Sequence, residues 1–215
     1  MPLPSAISSR LRLPLIAAPM FLVSGPELVI AACKAGVIGS FPTANCRTLE
    51  DLEQWLARFQ DELTEQDAPV APNLIVHKTN SRLADDLALI CKYEPPMVIA
   101  SVGSPAPIID AIHGYGGLVF ADIATMRHAE KAIETGADGL ILLTAGAGGQ
   151  TGWANPFAFV RGVRKIFDGP IVLAGGVGDG QALRAAEVLG CDLAYMGTRF
   201  IATQESICLL YTSDA

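Results

Sequence analysis

Short apolar runs of strand length alternate with longer stretches whose apolar residues recur at helical spacing, and the alternation continues along the whole chain. A strand buried on both faces reads as a continuous apolar run, whereas a helix lying on a sheet shows a single apolar stripe. The runs predict strands near 14–18, 37–41, 70–76, 97–102, 117–121, 138–143, 170–174 and 192–196. The segments between them carry helix signals. Thr48 with Asp51 reads as a helix start, followed by one stripe of Leu49, Leu52, Leu56, Phe59 and Leu63. Ser81 is expected to open a second helix with Leu83, Leu87 and Ile90 inward. Asn155 before Pro156 is a strong start, because Asn caps a helix and Pro tolerates its first position. Gly36, Gly136 and Gly190 each follow an Ala- or Leu-rich helix and suit the left-handed conformation at its end. Strand and helix in alternation build a parallel sheet from βαβ units. Eight such units in about 200 residues predict an α/β fold, a closed (β/α)8 TIM barrel; the open doubly wound sheet is the alternative.

Composition narrows the picture. With 215 residues, 51% hydrophobic and 17% charged, the chain can bury a sizeable core as one domain. A net charge of −7 argues against nucleic acid as a partner, since a polyanion needs clustered Lys and Arg. No stretch is long and apolar enough to span a bilayer. Arg10 and Arg12 precede an apolar region, but Pro14, Pro19, Pro26 and Glu27 interrupt it, so no signal segment and a cytoplasmic location are expected. Cys33, Cys46, Cys91, Cys191 and Cys208 form no C-x-x-C pair and have no His at ligand spacing. Free thiols in a reducing compartment are therefore expected, and no metal site. The stretch Cys208–Ala215 resembles a translated sequencing adapter. Residues 1–207 are accordingly read as one barrel domain with its C-terminal part missing, and 208–215 as a non-native tail. Apolar surface around Leu193, Phe200 and Ile201 is then expected to be exposed.

In such a barrel the chemistry lies in the loops after the strands, with a phosphate site often after the seventh and eighth. Here the seventh strand ends in Ala174-Gly175-Gly176-Val177-Gly178-Asp179 and the eighth in Met196-Gly197-Thr198. Glycine lets the backbone approach an anion, and its exposed N–H groups then donate to it. Either loop alone would also make an ordinary turn; both at the two expected strands point to a phosphate. The sixth strand is followed by Thr144-Ala145-Gly146-Ala147-Gly148-Gly149-Gln150-Thr151-Gly152, small enough for a flat ring to lie against the backbone. The first strand ends in Ala17-Ala18-Pro19-Met20, and the third in Pro72-Asn73, whose carboxamide offers a heterocycle both donor and acceptor. Among the remaining candidates, His77 and Lys78 are expected in a solvated loop and His113 and His128 at the surface. Trp153 either covers the site or packs its loop. Asp122 ends the fifth strand, a good place for a polar contact, and Tyr195 is expected to contribute backbone rather than its phenol.

Several of these segments belong to one pattern: Ala18-Pro19-Met20, Asn73, Ser101-Val102-Gly103-Ser104-Pro105, Gly136-Ala137-Asp138-Gly139, Ala147-Gly148-Gly149, Ala174-Gly175-Gly176 and Met196-Gly197-Thr198-Arg199-Phe200. From 12 to 206 the chain resembles the nitronate monooxygenase family, also called 2-nitropropane dioxygenase-like, whose members are FMN-dependent barrels. The resemblance implies that Asn73, Gly148, Gly176, Gly197 and Thr198 touch FMN, with Met20 beside the flavin. Ala18, Pro19, Ala147, Gly149, Gly175 and Met196 complete the expected cofactor-binding set. Many relatives carry a catalytic histidine directly after the Ala-Gly-Gly of the sixth loop; this chain has Gln150. An amide does not titrate, so Gln150 can hydrogen-bond a nitro or carbonyl oxygen but cannot abstract a proton. The implied activity is oxidation of an alkyl nitronate by FMN with molecular oxygen as electron acceptor. The alternatives are an NAD(P)H-dependent flavin reductase of quinone or enoyl substrates, a pattern shared with enoyl-thioester reductases, and a flavin-binding remnant without turnover.

Overall fold

The computed structural model describes residues 3–149 and 151–207. Eight parallel strands follow one another around a barrel: β1 (Leu15–Ala17), β2 (Ile38–Pro42), β3 (Val70–Ile75), β4 (Met97–Ser101), β5 (Leu118–Ile123), β6 (Gly139–Leu143), β7 (Ile171–Ala174) and β8 (Leu193–Met196). The last strand returns to the first through Leu15↔Ala194, Ile16↔Tyr195 and Ala17↔Met196, and this closure excludes the open sheet. Ahead of β1 lies a short helix, α1 (Ser5–Ser8), whose Ile7 packs with the residues filling the barrel. Outside run α2 (Pro26–Lys34), α3 (Leu49–Glu62), α4 (Leu83–Tyr93), α5 (Ala106–Gly114), α6 (Met126–Glu134), α7 (Pro156–Val163) and α8 (Gly180–Leu189), with a single turn, α9 (Thr198–Ile201), after β8.

The expected start of α3 is a full capping box: Asp51 N–H donates to Thr48 Oγ1 at 3.1 Å and Thr48 N–H to the Asp51 carboxylate at 2.9 Å. Asn155 caps α7 by accepting from Phe157 N–H at 3.0 Å. Ser81 does not open α4, which begins at Leu83. Asn80 organises that entry instead. Its amide donates to Ile75 O at 2.8 Å and accepts from Arg82 N–H at 3.1 Å, so the turn is tied to the end of β3 rather than capped by the next residue. Gly190 ends α8 at φ +113°, and Gly36 and Gly136 stand two residues beyond their helices at +77° and +89°.

One device occurs twice at the N-terminal end of the barrel. Asp138, just before β6, accepts Val119 N–H at 2.8 Å and pairs with His113. Asp192, just before β8, accepts Ile171 N–H at 2.8 Å and pairs with Arg164. In each, a carboxylate joins the start of its own strand to the strand before it. The Gly136-Ala137-Asp138-Gly139 motif is therefore structural, on the face of the barrel that carries stability rather than chemistry. Gly139 also leaves room for Phe120, whose ring would lie 2.3 Å from any Cβ placed there.

Ile16, Ile38, Ala71, Met97, Ile99, Phe120, Ile141, Val172, Ala174 and Leu193 fill the lumen, and two further clusters seal the helices onto the strands' outer faces. Leu193 is thus 2% exposed, contrary to the expected apolar surface, because alternation along β8 turns it inward. Phe200 is partly buried against the outer cluster. Among the described residues no helix is long and apolar enough to cross a membrane.

Candidate functional site

The loops leaving the C-terminal ends of β6, β7, β8 and β1 interlock. Gly175 has φ +128°, and a Cβ there would stand 2.5 Å from Thr144 Oγ1 and 3.0 Å from Ala147 N, so only glycine lets the seventh loop pass under the sixth. Thr144 fixes the crossing by donating to Ala174 O at 2.8 Å. Arg199 Nε donates to Gly178 O at 2.8 Å and ties the eighth loop to the seventh. A Cβ on Gly197 would lie 3.4 Å from Met20 Sδ and 3.8 Å from Ala18 Cβ, which brings the first loop against the eighth. Residues far apart in sequence, Ala18, Met20, Ala147, Gly175 and Gly197, are thereby gathered on one rim.

The same rim contains open backbone. Nothing lies within 4 Å of a Cβ built on Gly148, Gly149 or Gly176. The N–H groups of Gly176, Gly197 and Thr198 make no hydrogen bond among the described residues. Donors without acceptors, facing space that a Cβ would occupy, fit a bound phosphate. The Asp179 carboxylate already caps α8 through Ala182 N–H at 2.8 Å, so the free donors lie in the glycine turn ahead of that helix.

Two amides hold the neighbouring loops. The third strand does not end in Pro72-Asn73 but runs on to Ile75; within it Asn73, 6% exposed, accepts from Ser101 Oγ at 3.1 Å, and Ser101 also reaches Leu74 O at 3.3 Å. The Asn73 amide nitrogen has no acceptor among the described residues. Asn45, just past β2, donates to Met20 O at 3.1 Å and Ser24 O at 2.9 Å, and accepts from Leu22 N–H at 2.9 Å. Asn45 thus sets the path of the loop carrying Met20, with Leu22 held at φ +59°. Ser101 belongs to one of the motif segments read from the sequence, whereas Asn45 does not; its only signal there was a small polar residue just past the C-terminal end of a barrel strand.

The other candidates separate. His77 turns its Nδ1 to Thr79 Oγ1 at 2.8 Å within its own loop. His113 sits at the opposite end of the barrel, 2.8 Å from Asp138. Trp153 is 94% exposed and neither covers the rim nor packs its loop. Gln150 and Cys208 lie outside the described residues. Cys33, Cys46 and Cys191 are buried, and burial pushes each thiol up to about 12. His128, expected at the surface, is exposed but lines a cavity of about 410 Å³ over the end of β5, with Ser104, Asp122, Lys131, Leu143 and Thr151. Asp122 Oδ1 and, in the lumen, Tyr195 Oη are sealed from solvent without a hydrogen-bond partner among the described residues. Burial pushes the Asp122 carboxyl up to about 7. The Tyr195 phenol, expected to be idle, stands inside the lumen, and burial, then the Asp122 charge, raises it well above its usual range. A larger groove of about 570 Å³, lined by Arg10, Phe59, Glu65, Tyr93 and Pro96, lies at the opposite end of the barrel, away from these loops.

The chain is similar to several known proteins. A family model described as nitronate monooxygenase matches residues 5–213. An octahydroindene-carboxyl-CoA dehydrogenase of Rhodococcus jostii is 30% identical over 90% of this chain and 53% of its own. A nitronate monooxygenase of Paraburkholderia phytofirmans is 28% identical over 90% of this chain and 64% of its own. The crystal structure of a nitroalkane oxidase from Streptomyces ansochromogenes superposes with a TM-score of 0.83 at 26% identity, over 94% of this chain and 70% of that one. The chain spans between half and two thirds of the length of the two curated relatives.

Proposed function

Because the chain belongs to the nitronate monooxygenase family, we propose that it is an FMN-dependent oxidoreductase that oxidises alkyl nitronates with molecular oxygen. The observation that carries this reading is the rim of open glycine backbone after β6, β7 and β8, with unpaired N–H groups at Gly176, Gly197 and Thr198. Those groups would hold the FMN phosphate. Ala147, Gly148 and Gly149 would leave room for the flat ring, bounded by Ala18, Pro19 and Met20 on one side and the Asn73 amide on another. Gly175 and Met196 would shape the backbone that presents the donors. Bound FMN would supply the electron chemistry, taking electrons from the nitronate and passing them to oxygen. The chain's own residues would orient the substrate, with the Gln150 amide donating to a nitro oxygen and accepting no proton. The test is the absorbance spectrum of the purified protein, followed by anaerobic mixing with an alkyl nitronate. The expected result is a yellow protein that releases FMN rather than FAD, bleaches with nitronate and regains its colour in air. A colourless protein that takes up no flavin would end the reading.

A second reading, oxidoreduction of an acyl thioester or enoyl substrate with a nicotinamide, is supported by the likeness to a carboxyl-CoA dehydrogenase. The cavity over β5 would suit a larger substrate, with His128 and Lys131 placed to meet an anionic group. Bleaching of the flavin by NADH or NADPH, with none by nitronate, would favour it.

A further inference from the structure

Asp122 and Tyr195 are the two titratable side chains on the eight strands. Alternation along β5 puts Asp122 on the same face as Phe120, and alternation along β8 puts Tyr195 on the same face as Leu193, so both point into the lumen. The Asp122 charge raises the Tyr195 pKa, which places the two groups near each other across the mouth of the barrel. Each has an oxygen sealed from solvent and without a hydrogen-bond partner among the described residues. An unpaired buried polar atom costs about 1–3 kcal/mol. A plug for the lumen would more economically be apolar, as every layer beneath these two is. Both groups stand next to the last residue of their strands, at the end from which the glycine-rich loops leave, and Asp122 also borders the cavity over β5. Asp122 therefore borders a place where a ligand can sit, and Tyr195 lies near Asp122.

We infer that Asp122, as its uncharged acid, and Tyr195 donate hydrogen bonds from the lumen mouth to acceptor atoms of the flavin ring, and so position it. This rests on the proposed FMN site. Flavin offers acceptors on its pyrimidine and central rings, and neither strand residue has an acceptor of its own to satisfy it. A donor is needed, and a carboxyl group donates only when protonated. Burial keeps Asp122 protonated up to about pH 7. The titratable or charged groups facing it are Tyr195 on β8 and, around the adjoining cavity, His128 and Lys131 on α6; the other strands carry none. If flavin binds the protonated form, its affinity is full below the free carboxyl's pKa and falls as pH rises through it, by up to about tenfold per unit.

The experiment is titration of the whole apoprotein with FMN, followed by quenching of flavin fluorescence, from about pH 5 to about pH 9. The unmodified protein should bind more weakly above about pH 7. Asp122→Asn, which keeps a donor but cannot ionise, should still bind FMN and should lose this decline. Tyr195→Phe should weaken binding by about five- to tenfold at every pH, the effect of one lost hydrogen bond. His128→Gln should leave the profile of the unmodified protein intact, while the titration of the FMN phosphate is common to all four proteins. An unchanged decline in Asp122→Asn, or its disappearance in His128→Gln alone, would overturn the inference and leave the FMN site standing. Failure of the unmodified protein to bind FMN at any pH would overturn both.

Discussion

At the scale of single residues, the glycines divide into those that make room for the protein and those that make room for something else. Gly175 is of the first kind: its positive φ and the 2.5 Å approach of Thr144 Oγ1 leave no space for a Cβ. Gly175→Ala should therefore lower stability by about 1–3 kcal/mol, measured by denaturant unfolding, whether or not cofactor is present. Gly176 also has a positive φ but faces open space. Gly176→Asp should remain folded and lose FMN, because its carboxylate would repel the phosphate; retention of stoichiometric FMN would dissociate this turn from the phosphate. Asp122 gives a pH signature without cofactor. Its folded pKa, about 7, lies above the unfolded value of 3.8. Its stabilising contribution is thus full below the unfolded value and lost as pH rises through about 7. Asp122→Asn apoprotein should consequently gain on the unmodified protein between about pH 4 and pH 7, by an amount on the order of a few kcal/mol at most. At position 150 the prediction is catalytic. Oxidising a neutral nitroalkane first requires removal of a carbon-bound proton, which a nitronate has already lost. Gln150→His should raise turnover of nitroalkane towards that of nitronate, by a factor on the order of 10²–10⁴ in oxygen consumption, and Gln150→Ala should change nitronate turnover less.

The elements show how a flexible-looking sequence becomes a shaped loop. The segment after β6 reads as uniformly small, yet its base is fixed and its tip is open. Thr151 Oγ1 donates to Thr144 O at 2.8 Å, and Ala145 N–H to Ala154 O at 3.0 Å, drawing the two ends together. Gly152 is buried beneath this closure, where a Cβ would stand 2.2 Å from Leu143 O, while nothing approaches Gly148. Gly152→Ala should lower the melting temperature by several degrees, the equivalent of about 1–3 kcal/mol, and Gly148→Ala should leave it nearly unchanged. Equal effects would mean that the loop has no fixed base. The helices were legible where capping is local, as at Thr48 and Asn155. The start of α4 was not, because Asn80 acts by reaching back to β3, a tertiary contact that no residue order announces.

For the whole molecule, the filled lumen is the support on which the loops stand. Phe120 is fully buried at its centre, in the space left by Gly139. Phe120→Ala should cost about 3–5 kcal/mol, a large share of the 5–15 kcal/mol typical of a domain, and should loosen the rim above it. Calorimetry would check the first consequence and FMN affinity the second. The paired carboxylates Asp138 and Asp192 brace the opposite end, so stability and chemistry occupy opposite faces of one barrel.

The sequence by itself determined the eight strands and their alternation with helices, because the periods of apolar residues and the capping groups are local properties. It also marked the loops that carry the rim, since clustered glycine after a strand leaves a local trace. Only the tertiary structure decided what those loops enclose. Closure of β8 on β1 brought Gly197 to Met20, and the inward turn of alternate strand residues set Asp122 and Tyr195 near each other, though 73 positions separate them in the chain. Trp153, prominent in the sequence, is left in solvent, and Tyr195, read as backbone, lies with its phenol in the lumen. In each case the deciding quantity is which side of a strand or loop faces the barrel axis, and that is fixed by the register of all eight strands together.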